Sequence, residues 1–289
     1  PILDIIDAHV HIYPPEIERD LENISEREPW FKDMANSKVH RWGTAESLIN
    51  HMDRHGIRSS FVTGFAFRDQ GLCRSMNDYV LDSASKYSGR IIPLAVVSPC
   101  AKGAAEEILR CAERGAAGIG ELFPDGQELD ISDAGQTWRM VGACLEAGMF
   151  IMFHTAEQVG HQYAGKGRTG PAEAAAFCIN HPQARVVFAH FGGGLWAYES
   201  MPEMKLALSN AYYDTAAWPW LYGHRVIEGI FAAGAGDKIL FGTDWPILEY
   251  PRFEKILART SLTEEQRSLL LCKNALSLLS KAKNNAGVM

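Results

Sequence analysis

Near its start the chain reads IIDAHVHIYP, Ile5 to Pro14, with His9 and His11 two residues apart at the end of an apolar run. Alternate side chains of a β-strand share a face, so the two imidazoles project together while Val10 turns away. Two neutral imidazoles on one face can share a metal ion, although a surface pair would read the same. Other apolar runs also end in residues able to do chemistry: Glu121 in AGIGELFP, His154 in FIMFHT, His190 in VVFAHFGGG and Asp244 in ILFGTDWP. Each has a plainer role open to it. His154 could be a hydrogen-bonded core histidine, His190 a turn residue, Asp244 a cap, and Glu121 the partner of an arginine. Their joint occurrence at strand ends decides for a shared cation, which offsets the cost of burying them. Nitrogen and carboxylate donors suit zinc, with iron, manganese or cobalt as alternatives. Asp7 has the inward parity one layer deeper and is expected to hydrogen-bond a neighbouring strand or a ligand histidine.

These residues need elements that bring them to one place. Strand-like runs fall at Ile5–Ile12, Ser60–Phe67, Ile91–Ser98, Gly118–Phe123, Phe150–Thr155, Arg185–His190, Ala211–Thr215 and Ile239–Thr243, with amphipathic helical patterns between them. Near-continuous apolar strands such as IIPLAVV suit a parallel sheet buried on both faces. Eight strand–helix repeats predict a distorted (β/α)8 TIM barrel, an α/β fold, as one domain over residues 1–289. A doubly wound sheet is the rival, but no Gly-rich phosphate loop follows the first strand. In a barrel all the strand ends above lie on the C-terminal rim, where active sites sit.

Two connections are long. One, residues 13–43, contains EREPWFKD and HRWG and is expected to cap the site; the other is EQVGHQYAGKGRTG, residues 157–170. Such loops tend to be functional or disordered. Arg41, Trp42 and Arg168 are the candidate substrate contacts, with Arg27 and Lys166 as further cations for an anionic substrate. His40, His51, His55, His161, His181 and His224 fall on helices or loops and are expected mostly to face solvent.

With 47% hydrophobic and 22% charged residues in 289, the composition is that of an ordinary globular protein with a large core. A net charge of −7 with dispersed basic residues argues against nucleic acid as a partner. The six cysteines lack metal-type spacing and read mostly as buried free thiols. PILDIIDAHVHI does not read as a signal peptide, and runs such as GMFIMF are far short of a membrane span. A cytoplasmic enzyme acting on a small molecule is expected, with no membrane partner. It could be a homo-oligomer, WPWLYG (Trp218–Gly223) being either an exposed contact or a pocket wall. The tail KAKNNAGVM reads as frayed.

DAHVHI, FHT, AHFGG and FGTDWP, in that order, resemble the amidohydrolase superfamily, in particular the amidohydrolase-related branch that includes aminocarboxymuconate-semialdehyde decarboxylase-like enzymes. The resemblance runs from Ile5 to about Leu279. It implies a divalent metal, usually zinc, held by His9, His11, His154 and Asp244, with His190 beside it polarising substrate or water. Glu121 departs from the lysine common at the fourth strand end and resembles the glutamate of TatD-like relatives, so it could ligate one ion or bridge two. The resemblance implies hydrolysis of an amide, lactone or ester as the first expectation, with Asp244 as the proton carrier. Non-oxidative decarboxylation of an aromatic or unsaturated acid is the second.

Overall fold

The computed structural model describes residues 4–285. Its single sheet has eight parallel strands in sequential order: β1 (Ile5–His11), β2 (Ile57–Thr63), β3 (Ile91–Ala95), β4 (Gly118–Leu122), β5 (Phe150–Phe153), β6 (Val186–Phe188), β7 (Ala211–Asp214) and β8 (Ile239–Leu240). The last strand returns to the first. Ala8 N donates to Phe241 O at 2.7 Å and His11 N to Trp245 O at 2.7 Å, which closes a TIM barrel.

Ile6, Ala8, Phe61, Leu94, Phe150, Met152, Val187, Tyr212 and Leu240 form one buried cluster. Because it collects residues from almost every strand, this cluster is the barrel interior, as expected for a packed core rather than a pore. A larger cluster fills the space between strands and outer helices. The register is irregular between Asp7 and Val10. That irregularity breaks simple parity: Ile6 and Ala8 join the interior, yet His9 and His11 still turn towards the rim.

The segment expected as a long loop after β1 is largely helical, over Pro15–Arg19, Leu21–Arg27 and Pro29–Ala35. Its Ile17, Ile24 and Phe31 are spaced by seven, two helical turns, and all three are buried. Proline opens the first and third of these helices, where its missing N–H costs nothing. Helix Asn274–Asn285 runs through the first part of the expected frayed tail; Ala286–Met289 lie outside the described residues. Five of the six cysteines are buried, and Cys100 is exposed. Among the described residues no helix is long and apolar enough to cross a membrane.

Candidate metal centre

The barrel brings His9, His11, Glu121, His154, His190 and Asp244 together at one rim, all buried. His9 Nε2 and His11 Nε2 lie 3.2 Å apart. Glu121 Oε2 is 3.3 Å from each, and Asp244 Oδ1 is 3.6 Å from each. The other ring nitrogens are already committed: His9 Nδ1 faces Asp214 Oδ2 at 2.8 Å, and His11 Nδ1 faces Gly64 O at 3.1 Å. With those nitrogens donating, two imidazole lone pairs and two carboxylate oxygens converge on one point. Donors held about 2.1 Å from one ion sit roughly 3.0–3.4 Å apart, in octahedral or tetrahedral arrangement. The donor set therefore fits a divalent cation.

A second convergence lies beside the first. Glu121 Oε1 is 2.9 Å from His154 Nδ1 and 3.2 Å from His190 Nε2, and those nitrogens are 3.1 Å apart. His154 Nε2 is turned to Lys166 O at 3.1 Å and His190 Nδ1 to Ala216 O at 3.1 Å. Glu121 thus presents one oxygen to each group, and all its ion-pair partners are histidines rather than an arginine.

Local sequence explains the placement. Gly120, with φ of 117°, lies so close to β5 that a Cβ would come within 2.2 Å of Met152 O. Only glycine lets β4 deliver Glu121 there. Gly242 is pressed against β1, where a Cβ would meet that of His9 at 2.8 Å. This closeness allows Asp244 N to donate to His9 O at 2.9 Å. His190, Phe191 and Asp244 have φ of 56°, 59° and 69°, which non-glycine residues seldom adopt.

The charges are strongly perturbed. Burial pushes the His9 imidazolium down, but the Asp214 and Glu121 carboxylates outweigh it and hold its pKa well above the usual range. Burial likewise disfavours charge on His190, yet Glu121 and Asp244 raise it to about 9. Burial alone would raise Glu121; His9 and His154 pull it well below the ordinary carboxylate range. In the absence of a cation, protons on the histidines must balance the carboxylates. That is the expected inverse of a metal site.

Asp214, at the end of β7, is the residue that sequence reading missed. Its Oδ1 accepts from His190 N and Ala216 N at 2.9 and 3.0 Å while Oδ2 holds His9. The signal was available: AYYDT is another apolar run closed by a carboxylate. Asp7 accepts from Thr243 N, Thr243 Oγ1 and His9 N, so it ties β1 to the loop carrying Asp244 rather than touching a ligand ring. Burial raises its pKa to about 7 despite those bonds.

Above the rim lies a cavity of about 410 Å³. His11, Glu121, His154, His190 and Asp244 form its floor, and Tyr13, Phe123, Tyr163 and Trp220 give it aromatic walls. Met34, Ser37 and Val39 come from the segment after β1, His161 and Tyr163 to Gly165 from the one after β5, and Ala217, Leu221 and Ile247 complete it. WPWLYG is thus a cavity wall.

The candidate substrate contacts fall elsewhere. Arg41 donates to backbone carbonyls of its own segment, and Trp42 packs on Tyr13 and His40 behind the wall. The Arg168 side chain is 94% exposed and pairs with Asp125. Arg27 lies beside Asp69, and Lys166 is buried within its own loop. Among the described residues no lysine or arginine lines the cavity. His51, expected at the surface, is buried against Trp245 and His55.

The sequence matches the family described as Amidohydrolase over residues 6–281. The chain belongs to that family. No curated protein matches it. Among solved structures, 5-carboxyvanillate decarboxylase LigW from Sphingomonas paucimobilis superposes with a TM-score of 0.78 at 13% identity, over 96% of this chain and 99% of that one. The 5-carboxyvanillate decarboxylase of Novosphingobium aromaticivorans, complexed with manganese and 4-hydroxy-3-methoxy-5-nitrobenzoic acid, gives 0.77 at 16% identity, covering 96% of each chain. The 2,6-dihydroxybenzoate decarboxylase from Rhizobium gives 0.73 at 18%, covering 96% and 99%. At these identities the likeness is one of fold. The chain is an enzyme of the amidohydrolase superfamily whose donor set suits a divalent metal.

Proposed function

We propose that this amidohydrolase-family enzyme is a metal-dependent, non-oxidative decarboxylase of a small aromatic monocarboxylic acid. The observation that carries the reading is the cavity: aromatic walls above a floor of imidazoles and carboxylates, with no lysine or arginine in its lining. Such a pocket takes a flat apolar body and leaves the metal as the natural partner of one carboxylate. A second carboxylate at the far end would meet no side-chain cation, so a monoacid fits better than a diacid. The neighbours named as decarboxylases favour this chemistry over the hydrolysis expected first.

His9 (supported from behind by Asp214), His11 and Asp244 would hold the cation with Glu121, and His154 would complete the donor set. The cation is zinc or manganese, and the manganese of a neighbouring structure makes manganese the first to try. When bound, it would supply positive charge to the substrate's oxygens. Asp244 opens onto the cavity and is the proposed acid: its proton passes to the ring carbon as the bond to the carboxylate breaks and CO2 departs, and solvent restores it. His190 would hold the substrate's polar edge against the floor. Phe123 and Trp220 would flank the ring and exclude water.

Hydrolysis is the second reading, favoured by one feature. Glu121 presents its two oxygens to two separate donor groups, an arrangement able to hold two ions and so to activate water. The experiment is a panel of aromatic monoacids, lactones and amides with Mn²⁺- or Zn²⁺-loaded protein, followed in D2O. CO2 release with one deuterium at the former carboxyl carbon, lost in Asp244→Asn, supports decarboxylation. Acid release from lactones or amides without CO2 replaces it with hydrolysis.

A further inference from the structure

We propose that Lys166 is a positioning residue that couples the order of the 157–170 loop to occupancy of the metal centre; the inference rests on the metal-site reading above. Lys166 is 4% exposed, although it sits in a surface connection. Among the described residues no carboxylate is paired with its ammonium. Instead Nζ donates to Val159 O at 2.8 Å and His161 O at 2.9 Å, and it lies 5.8 Å from the centroid of the Tyr163 ring. A buried ammonium spent on its own loop's carbonyls is costly unless the knot it ties has a use.

The use is at the other end of the same residue. Lys166 O is the acceptor facing His154 Nε2 at 3.1 Å, and that contact leaves the Nδ1 lone pair of His154 directed at Glu121 and His190. One residue therefore sets the tautomer of a floor histidine through its carbonyl. Through its ammonium it folds the loop that supplies His161, Tyr163, Ala164 and Gly165 to the cavity wall.

The knot is anchored from outside as well. Asp125 accepts from Arg168 N at 2.8 Å and from Thr169 N at 3.1 Å. Gly165 lies against Met34, and Gly167 against Trp30 of the helix Pro29–Ala35. These contacts fix the loop's ends and flank, while the Lys166 ammonium draws the Val159 and His161 carbonyls together. A cation that draws on His154 Nδ1 selects the tautomer that needs Lys166 O. By linkage, the folded loop then strengthens cation binding.

The test uses the full chain and Mn²⁺ itself as probe, comparing wild type, Lys166→Met and Lys166→Arg. Methionine keeps the backbone carbonyl and most of the stem but removes both ammonium bonds; arginine keeps donors and charge. Hydrogen exchange of the 157–170 amides is followed with and without Mn²⁺, and Mn²⁺ affinity is titrated. In wild type, Mn²⁺ should slow exchange in this segment. In Lys166→Met the protection should disappear and Mn²⁺ affinity fall about tenfold, the effect of losing support behind a ligand histidine. Lys166→Arg should restore part of both. Unchanged Mn²⁺ protection and affinity in a folded Lys166→Met protein would overturn the coupling. A wild type that takes up no Mn²⁺ or Zn²⁺ would instead remove the metal-site reading, and the coupling with it.

Discussion

Asp214→Asn should disable the metal centre while leaving the barrel folded. The argument turns on which atom of the new amide goes where. Asp214 Oδ1 accepts two backbone N–H groups, from His190 and Ala216, whereas Oδ2 accepts one ring nitrogen, His9 Nδ1. An asparagine will keep its oxygen where two fixed donors converge, which turns its NH2 group towards His9. His9 then accepts at Nδ1 and carries its proton on Nε2, the nitrogen that faces His11, Glu121 and Asp244. To bind a cation the site must either force two donors together or rotate the amide and leave buried N–H groups unpaired. Either costs about 3 kcal/mol, or roughly a hundredfold in affinity. Titration of Mn²⁺ against wild type and variant, reading free Mn²⁺ by electron paramagnetic resonance, measures it directly. Thermal melting of both metal-free proteins controls for the fold. A folded variant that binds Mn²⁺ within about threefold of wild type would refute the tautomer argument, since even modest support behind a ligand histidine is worth roughly ten- to a hundredfold.

Glu121→Gln distinguishes one ion from two: plasma mass spectrometry of metal-loaded protein should find two equivalents falling to one if both of its oxygens ligate, whereas one equivalent in both forms assigns it a supporting part. Burial holds His51 at about 4, with His55 and Arg54 adding to the effect. Its folded pKa thus lies below its unfolded one near 6.5, so stability is complete above that value and is lost as pH falls from about 6.5 to about 4. His51→Leu should abolish that loss, and urea unfolding at pH 7 and pH 5 should show wild type losing about 2 kcal/mol more than the variant. Equal losses would put the acid sensitivity elsewhere. Lys238 pairs with Glu199 at 2.9 Å, and the glutamate also accepts from Tyr213 Oη at 2.9 Å with its side chain fully buried. Lys238→Met strands that carboxylate and should cost about 3–5 kcal/mol in urea unfolding, with little effect on Mn²⁺ affinity. A cost under about 1 kcal/mol would class the pair with surface ion pairs.

The fold was legible because its signals are local and repeated. Each of the eight apolar runs became a strand, and the polar residues that end five of them came to one rim. The same rule, applied to AYYDT, finds Asp214, although that run carries no histidine to mark it. Loop side chains were not legible, for a physical reason. Whether Arg168 reaches the cavity depends on Asp125, a residue more than forty positions away that claims its side chain and backbone. Lys166 reads as a solvated cation in AGKGRTG, and only the folded loop reveals two carbonyls waiting for it. His51 reads as a surface residue until Trp245 closes over it. The helices after β1 were hidden by prolines and charges, although the seven-residue spacing of Ile17, Ile24 and Phe31 was present.

Backbone strain marks the same rim independently of any motif. Five non-glycine residues have positive φ among those described: Glu128, His190, Phe191, Ala217 and Asp244. Three of them line the cavity, and Phe191 adjoins one of these. Such conformations cost about 1–3 kcal/mol each and persist only where neighbours over-determine them. The neighbours are identifiable. Asp214 receives the N–H of His190 and of Ala216, next to Ala217, while His9 O receives the N–H of Asp244. Glycine at these positions would relax the backbone, yet at His190 and Asp244 it would remove the side chains that face Glu121 and the two paired histidines. A carboxylate at the end of β7 thus steadies the strained turn and orients His9 at once, which is why its loss should be felt at the metal before it is felt in the fold.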